Sequence, residues 1–158
     1  MTTDHKLLRH TVATLAYRAG KAIRGAPKNF GAFRCSAETR TPVEILTHMG
    51  DLVEWAASIA QGRETWRDAQ PLAWDDEVQR FYNALKAFDD CLASGELLHQ
   101  TPEKLFQGPL ADALTHVGQL TMLRRMAGSP VKGENYFVAA IAAGEVGPEQ
   151  PAPKREFD

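Results

Sequence analysis

Apolar residues recur at three- and four-residue spacing in four separate stretches of this chain, and that repetition confines the fold to packed helices. In the first stretch, residues 3–24, the inward stripe is Leu8, Val12, Leu15, Ala19 and Ile23, and Gly25-Ala26-Pro27 ends it. The second opens on Thr41-Pro42-Val43-Glu44: Thr41 can cap, Pro42 suits the first helical position, and Glu44 sits where a capping-box partner belongs. It carries Leu46, Met49, Val53, Ala56 and Ile59 or Ala60 inward and stops near Gln61-Gly62. The third presents Val78, Phe81, Tyr82, Leu85, Phe88 and Leu92 and ends at Gly95. The fourth is expected to begin at Gly108-Pro109, to use Leu110, Leu114, Val117, Leu120 and Leu123 as its core edge, and to close at Gly128-Ser129-Pro130.

Four amphipathic segments of about 20 residues joined by modest loops describe an all-α, antiparallel four-helix bundle. Residues 135–143 read as a short C-terminal helix, completing a bundle domain over 1–143. Residues 144–158, rich in proline and charge, read as a loose tail. At 158 residues and 44% hydrophobic, the chain has apolar material for one core and needs no second domain. Net charge is −2 and the 18 basic residues form no stripe, so a nucleic-acid partner is not expected. No run approaches the ~20 apolar residues of a membrane span, and the first residues hold no apolar signal core, so a cytoplasmic protein without a membrane partner is expected. Cys35 and Cys91 match neither a disulfide framework nor a C-x-x-C pattern and read as incidental thiols.

Chemistry enters with Asp112-Ala-Leu-Thr-His116-Val-Gly-Gln119. On a helix, residues i and i+4 are offset by about 40°, so Asp112 and His116 stack on one face and can grip one ion. His48, near the inward stripe of the second helix, is the candidate third ligand. Together the three make a two-histidine, one-carboxylate set with coordination positions left for water or substrate. Each also has an ordinary reading. His48 can be a bundle-edge histidine bonded to a carbonyl or carboxylate, His116 can be half-buried and neutral, and Asp112 can serve the dipole of a helix starting at Pro109. Against that, an ionised Asp112 beside an apolar seam needs a cation or hydrogen bonds in compensation.

Of the other candidates, His10 either lines the pocket mouth or is a surface histidine, and His5 and His99 are expected in solvent. Gly118 and Gln119 are expected to serve close packing and hydrogen bonding beside the site. Trp55, Trp66 and Trp74 are packing residues, with Trp55 also able to wall a pocket and the three together suggesting a homodimer face. Arg124-Arg125 is a cationic helix end or an anion holder, and Glu134-Asn135-Tyr136 a candidate lid.

Two segments, Glu44-Ile-Leu-Thr-His48-Met-Gly-Asp51 and His116-Val-Gly-Gln119-Leu-Thr-Met-Leu-Arg-Arg-Met-Ala-Gly128, resemble the DinB/YfiT-like superfamily of bacterial helical-bundle proteins, over about residues 5–143. Members typically carry a histidine at the first place and a histidine pair four apart before a Gly-Gln step. Here the first of that pair is Asp112. The resemblance implies an up-down-down-up bundle, often dimeric, holding a divalent transition metal on His48, Asp112 and His116, with zinc or nickel ahead of iron or manganese. Some members transfer or isomerise with a low-molecular-weight thiol. The expected function is therefore a metal-dependent transferase or hydrolase acting on a small molecule, in some members with a thiol. The alternative is a non-enzymatic bundle that binds a metal or small ligand in stress response.

Overall fold

Three of the helices start where a threonine hydroxyl satisfies a free amide of the first turn. The computed structural model describes residues 1–157. In it α1 (Thr3–Ile23) begins after Thr2, whose hydroxyl accepts from the His5 amide. α2 (Pro42–Ala60) begins with the expected capping box: Thr41 Oγ1 accepts from Glu44 N at 3.4 Å, and Glu44 Oε2 accepts from Thr41 N at 2.7 Å. α3 (Trp74–Ala93) has no side-chain cap, but Asp75, Asp76 and Glu77 place negative charge in its first turn. No strand forms among the described residues.

The fourth stretch departs from the sequence reading. Helix begins at α4 (Pro102–Leu105), capped by Thr101, and runs through a π-helical stretch, Phe106–Leu110, into α5 (Ala111–Met126). Gly108-Pro109, expected to open the helix, lies inside it. Proline has no N–H to donate, and the widened π turn absorbs that missing bond where a regular helix would break. Asp112 is therefore some ten residues into a continuous helical run.

The helices pack in a ring, α1 against α3, α3 against α2, α2 against α5 and α5 against α1, around one core. The inward stripes read from the sequence supply it: Val12, Leu15, Leu46, Met49, Phe81, Leu85, Phe88, Leu110 and Leu120 are fully buried, and Val78 and Leu114 partly so. Such a core side chain cut to alanine costs about 2–5 kcal/mol, which is why the stripes dictate the arrangement.

Residues 144–157 are not a loose tail, and Asp158 lies outside the described residues. Only a 3-10 turn, Tyr136–Val138, forms where a fifth helix is expected. Beyond it the chain returns, with Asn135 N donating to Arg155 O at 3.0 Å and Phe157 N to Gly133 O at 2.8 Å. Glu134 and Glu156 both receive Lys21 Nζ, at 2.9 and 2.7 Å, while Tyr17 donates to Glu134 at 2.6 Å. Glu134 is buried, so it anchors the segment to α1 and is not part of a lid. His5 is also buried, its Nε2 against Glu96 O at 2.9 Å, and not solvated as expected.

Arg124 settles its two readings. It is 4% exposed and spends all five N–H donors inside the fold, on the carbonyls of Ala22, Arg24, Gly25 and Ser129 and the Ser129 hydroxyl. It ties the end of α1 to the end of α5 and keeps no donor for an anion.

Candidate metal centre

α2 and α5 are neighbours in the ring, and their contact brings together the three residues singled out from the sequence. His48 Nε2 lies 3.6 Å from Asp112 Oδ2, and His116 Nε2 lies 3.3 Å from Asp112 Oδ1. All three ligand atoms fall within 4.8 Å of one another, so the group can hold a metal ion. The spacing fits: two ligands about 2.1 Å from one ion, at a near-tetrahedral angle, stand about 3.4 Å apart. The imidazoles meet edge to face, ring centres 4.9 Å apart.

A hydrogen bond to Gln119 orients the His116 ring. Gln119 Oε1 lies 2.7 Å from His116 Nδ1, and a carbonyl oxygen only accepts, so Nδ1 carries the proton. In the neutral ring Nε2 then turns a lone pair toward the Asp112 carboxylate. Two electron-rich atoms face each other at a distance longer than the 2.7–2.9 Å typical of a charged hydrogen bond. At His48, burial first, then the charges of Arg40 and His116, push the pKa below the ordinary histidine value, against the opposing pull of Asp112. A proton is disfavoured there, which leaves the His48 imidazole suited to a metal.

Asp112 is neither buried nor at a helix start, contrary to both sequence expectations. Its side chain is 47% exposed, so burial does not force a counter-ion upon it. Nor does it sit at a free helix start, because the run begins at Pro102. What singles it out is position: one carboxylate oxygen is directed at each imidazole.

Around the triad, the loop between α2 and α3 lays Trp66 edge-on to His48, ring centres 5.9 Å apart, and Trp55 backs Trp66 at 5.7 Å. That loop is pinned by buried carboxylates: Asp51 accepts from Ala69 N at 3.1 Å and Glu77 from Leu72 N at 3.0 Å, and Arg80 bridges both carboxylates and Glu54. Trp74 packs edge-on to Phe30. The tryptophans thus have partners within the chain and do not by themselves mark a dimer face.

Hollows open on either side. A polar one of about 360 Å³ is bounded by His48, Arg34, Arg40 and Asp68, and a larger one of about 690 Å³ by His116, Gln119, Ile45, Met122 and Met126. Trp55 and Asp112 share the wall of a third. His10 is exposed on α1 and borders none of the three. Gln119 does hydrogen-bond beside the site, but Gly118 does not pack closely: a Cβ there would meet nothing within 4 Å. Both cysteines are free; burial pushes the Cys91 thiol pKa up, making it less reactive, and Cys35 is exposed at the edge of the larger hollow.

Trp66 and Arg40 were not picked out as site residues from the sequence. Trp66 reaches the site through a long loop, for which local spacing gives no signal. Arg40 had one weak sign, its place just before the capping threonine of the helix that carries His48. Compared with known proteins, the chain matches no protein-family model, no curated protein and no solved structure.

Proposed function

We propose that this chain is a divalent-metal-dependent enzyme of the DinB/YfiT-like type, a transferase or hydrolase of small molecules, with His48, Asp112 and His116 as the metal ligands. The observation that carries this reading is the placement of one carboxylate, Asp112, with an oxygen 3.6 Å from His48 Nε2 and another 3.3 Å from His116 Nε2, a set of ligand atoms that one divalent ion would join. A divalent ion held there would act as a Lewis acid and lower the pKa of a bound water or thiol. The chain's own residues supply the rest. Gln119 fixes the ring orientation of His116, Trp66 shields His48 on one side, and the exposed Asp112 leaves the approach open from solvent. Asp68, on the wall of the hollow beside His48, makes no hydrogen bond among the described residues and is a carboxylate able to accept a proton from a substrate. Zinc or nickel suits two imidazoles and one carboxylate, and iron or manganese is compatible.

The test is activity that follows the metal. Chelator-treated and zinc- or nickel-restored protein would be assayed for cysteine transfer to 1-chloro-2,4-dinitrobenzene and for hydrolysis of p-nitrophenyl acetate. Turnover that returns with metal and is lost in His116→Ala supports the reading. Turnover indifferent to both, or none with either substrate class in metal-loaded protein, favours a binding role instead.

A further inference from the structure

α5 carries a glycine where a helix has least use for one. Gly118 lies in the middle of the helix, exposed, with helical backbone, and open space stands where a side chain would be. Glycine is the least favourable residue after proline in a helix interior, and neither a tight contact nor a left-handed turn calls for it here. What its missing side chain does is keep the floor of the 690 Å³ hollow open. Thr115, Gly118, Gln119, Met122 and Met126 line that hollow and recur at three- and four-residue spacing, so one stripe of α5 forms the floor, with His116 at one end.

The lining has two chemistries. Ile45, Leu123, Met122 and Met126 are apolar, and the two methionines are more than half exposed and, as unbranched side chains, adaptable. Arg40 is exposed on the boundary between this hollow and the polar one, and it makes no hydrogen bond or ion pair within the described residues. A single free guanidinium at the edge of an apolar trough matches one anionic group on an apolar body. The volume lies within the range of small-molecule sites.

We infer that this trough seats a small organic anion with an unbranched apolar body, its carboxylate on Arg40 and its chain lying over Gly118 against Met122 and Met126. The ligand class rests on the proposed function in taking the hollow beside His116 as the substrate's seat.

The experiment titrates the full chain, chelator-treated, with sodium octanoate, sodium acetate and 1-octanol by isothermal calorimetry. Octanoate is expected to bind at least tenfold more tightly than either of the others, because only it offers both the charge and the chain. Arg40→Gln lowers octanoate affinity at least tenfold and leaves 1-octanol unchanged. Gly118→Leu, which adds a side chain into open space on a helix it favours, abolishes octanoate binding without lowering the thermal midpoint. Equal binding of octanoate and acetate, or octanoate binding unchanged in Gly118→Leu, overturns the assignment. So does a trough filled by a second copy of the chain, seen as a concentration-dependent mass that Gly118→Leu reduces. Since the titration needs no metal, a chain that fails to hold metal but binds octanoate in this way loses the metal reading and keeps the ligand class.

Discussion

Gln119 Oε1 stands 2.7 Å from His116 Nδ1, one turn along the same helix, and so aims the other ring nitrogen at Asp112. Removing that acceptor frees the ring to rotate and to change tautomer. Gln119→Leu is expected to weaken metal affinity by about 10–100-fold, the usual cost of losing such a partner, while Gln119→Glu, which keeps an acceptor, loses much less. Competition against a chromophoric chelator measures both. Equal affinity in all three proteins would remove Gln119 from the site.

His48 makes a prediction about pH. Its pKa in the folded chain lies below the ordinary value of ~6.5, so the unfolded chain binds more protons in the interval between the two. The stability of metal-free protein therefore falls as pH drops from ~6.5 through the lower folded value, with no contribution from His48 above ~6.5. Urea midpoints at pH 7.5 and pH 5.5 should differ less in His48→Gln than in the parent. Zinc should steepen the parent's dependence, because binding requires neutral imidazoles.

Asp112→His replaces the carboxylate between the two rings by a third imidazole. It is expected to keep metal bound while shifting the pH profile of any metal-dependent turnover, since a neutral ligand replaces a charged one. Asp112→Asn should weaken binding instead. Two variants indistinguishable from the parent in metal affinity and in pH profile would mean that Asp112 is no ligand.

Arg124 is a structural prediction. Lysine keeps the charge but has only three donors and no planar fork, so Arg124→Lys takes the donor from some of the carbonyls of Ala22, which is buried, and of Arg24 and Gly25. The expected loss is about 2 kcal/mol in denaturant unfolding, with metal affinity unchanged. A change within error would show that water replaces the lost bonds.

Local information in the chain marks most of its helices. Leu8 to Ile23, Leu46 to Ile59 and Phe81 to Leu92 announce their helices by spacing, and the Thr41 to Glu44 capping box forms as its residues suggest. The pairing of Asp112 with His116 is equally local, and His48 joins them because both helices place an edge residue at the same seam. The start of α4 was hidden because Gly108-Pro109 looks like a beginning, and the π turn that accommodates Pro109 leaves no mark in residue spacing. The ordered C-terminal segment was hidden for another reason. Its anchors, Glu134 and Glu156 on Lys21, are more than a hundred residues away from their partner, and its proline-rich composition resembles that of a free tail.

The central claim is that His48, Asp112 and His116 hold one metal ion. Elemental analysis of protein purified without an affinity tag, after dialysis against metal-free buffer and titration with zinc, tests it most directly. One ion per chain is expected in the parent and none in His116→Ala, with the helical circular-dichroism signal unchanged between them. A parent that binds no divalent transition metal, or a His48→Ala, Asp112→Ala, His116→Ala triple variant that still binds one per chain, would contradict it.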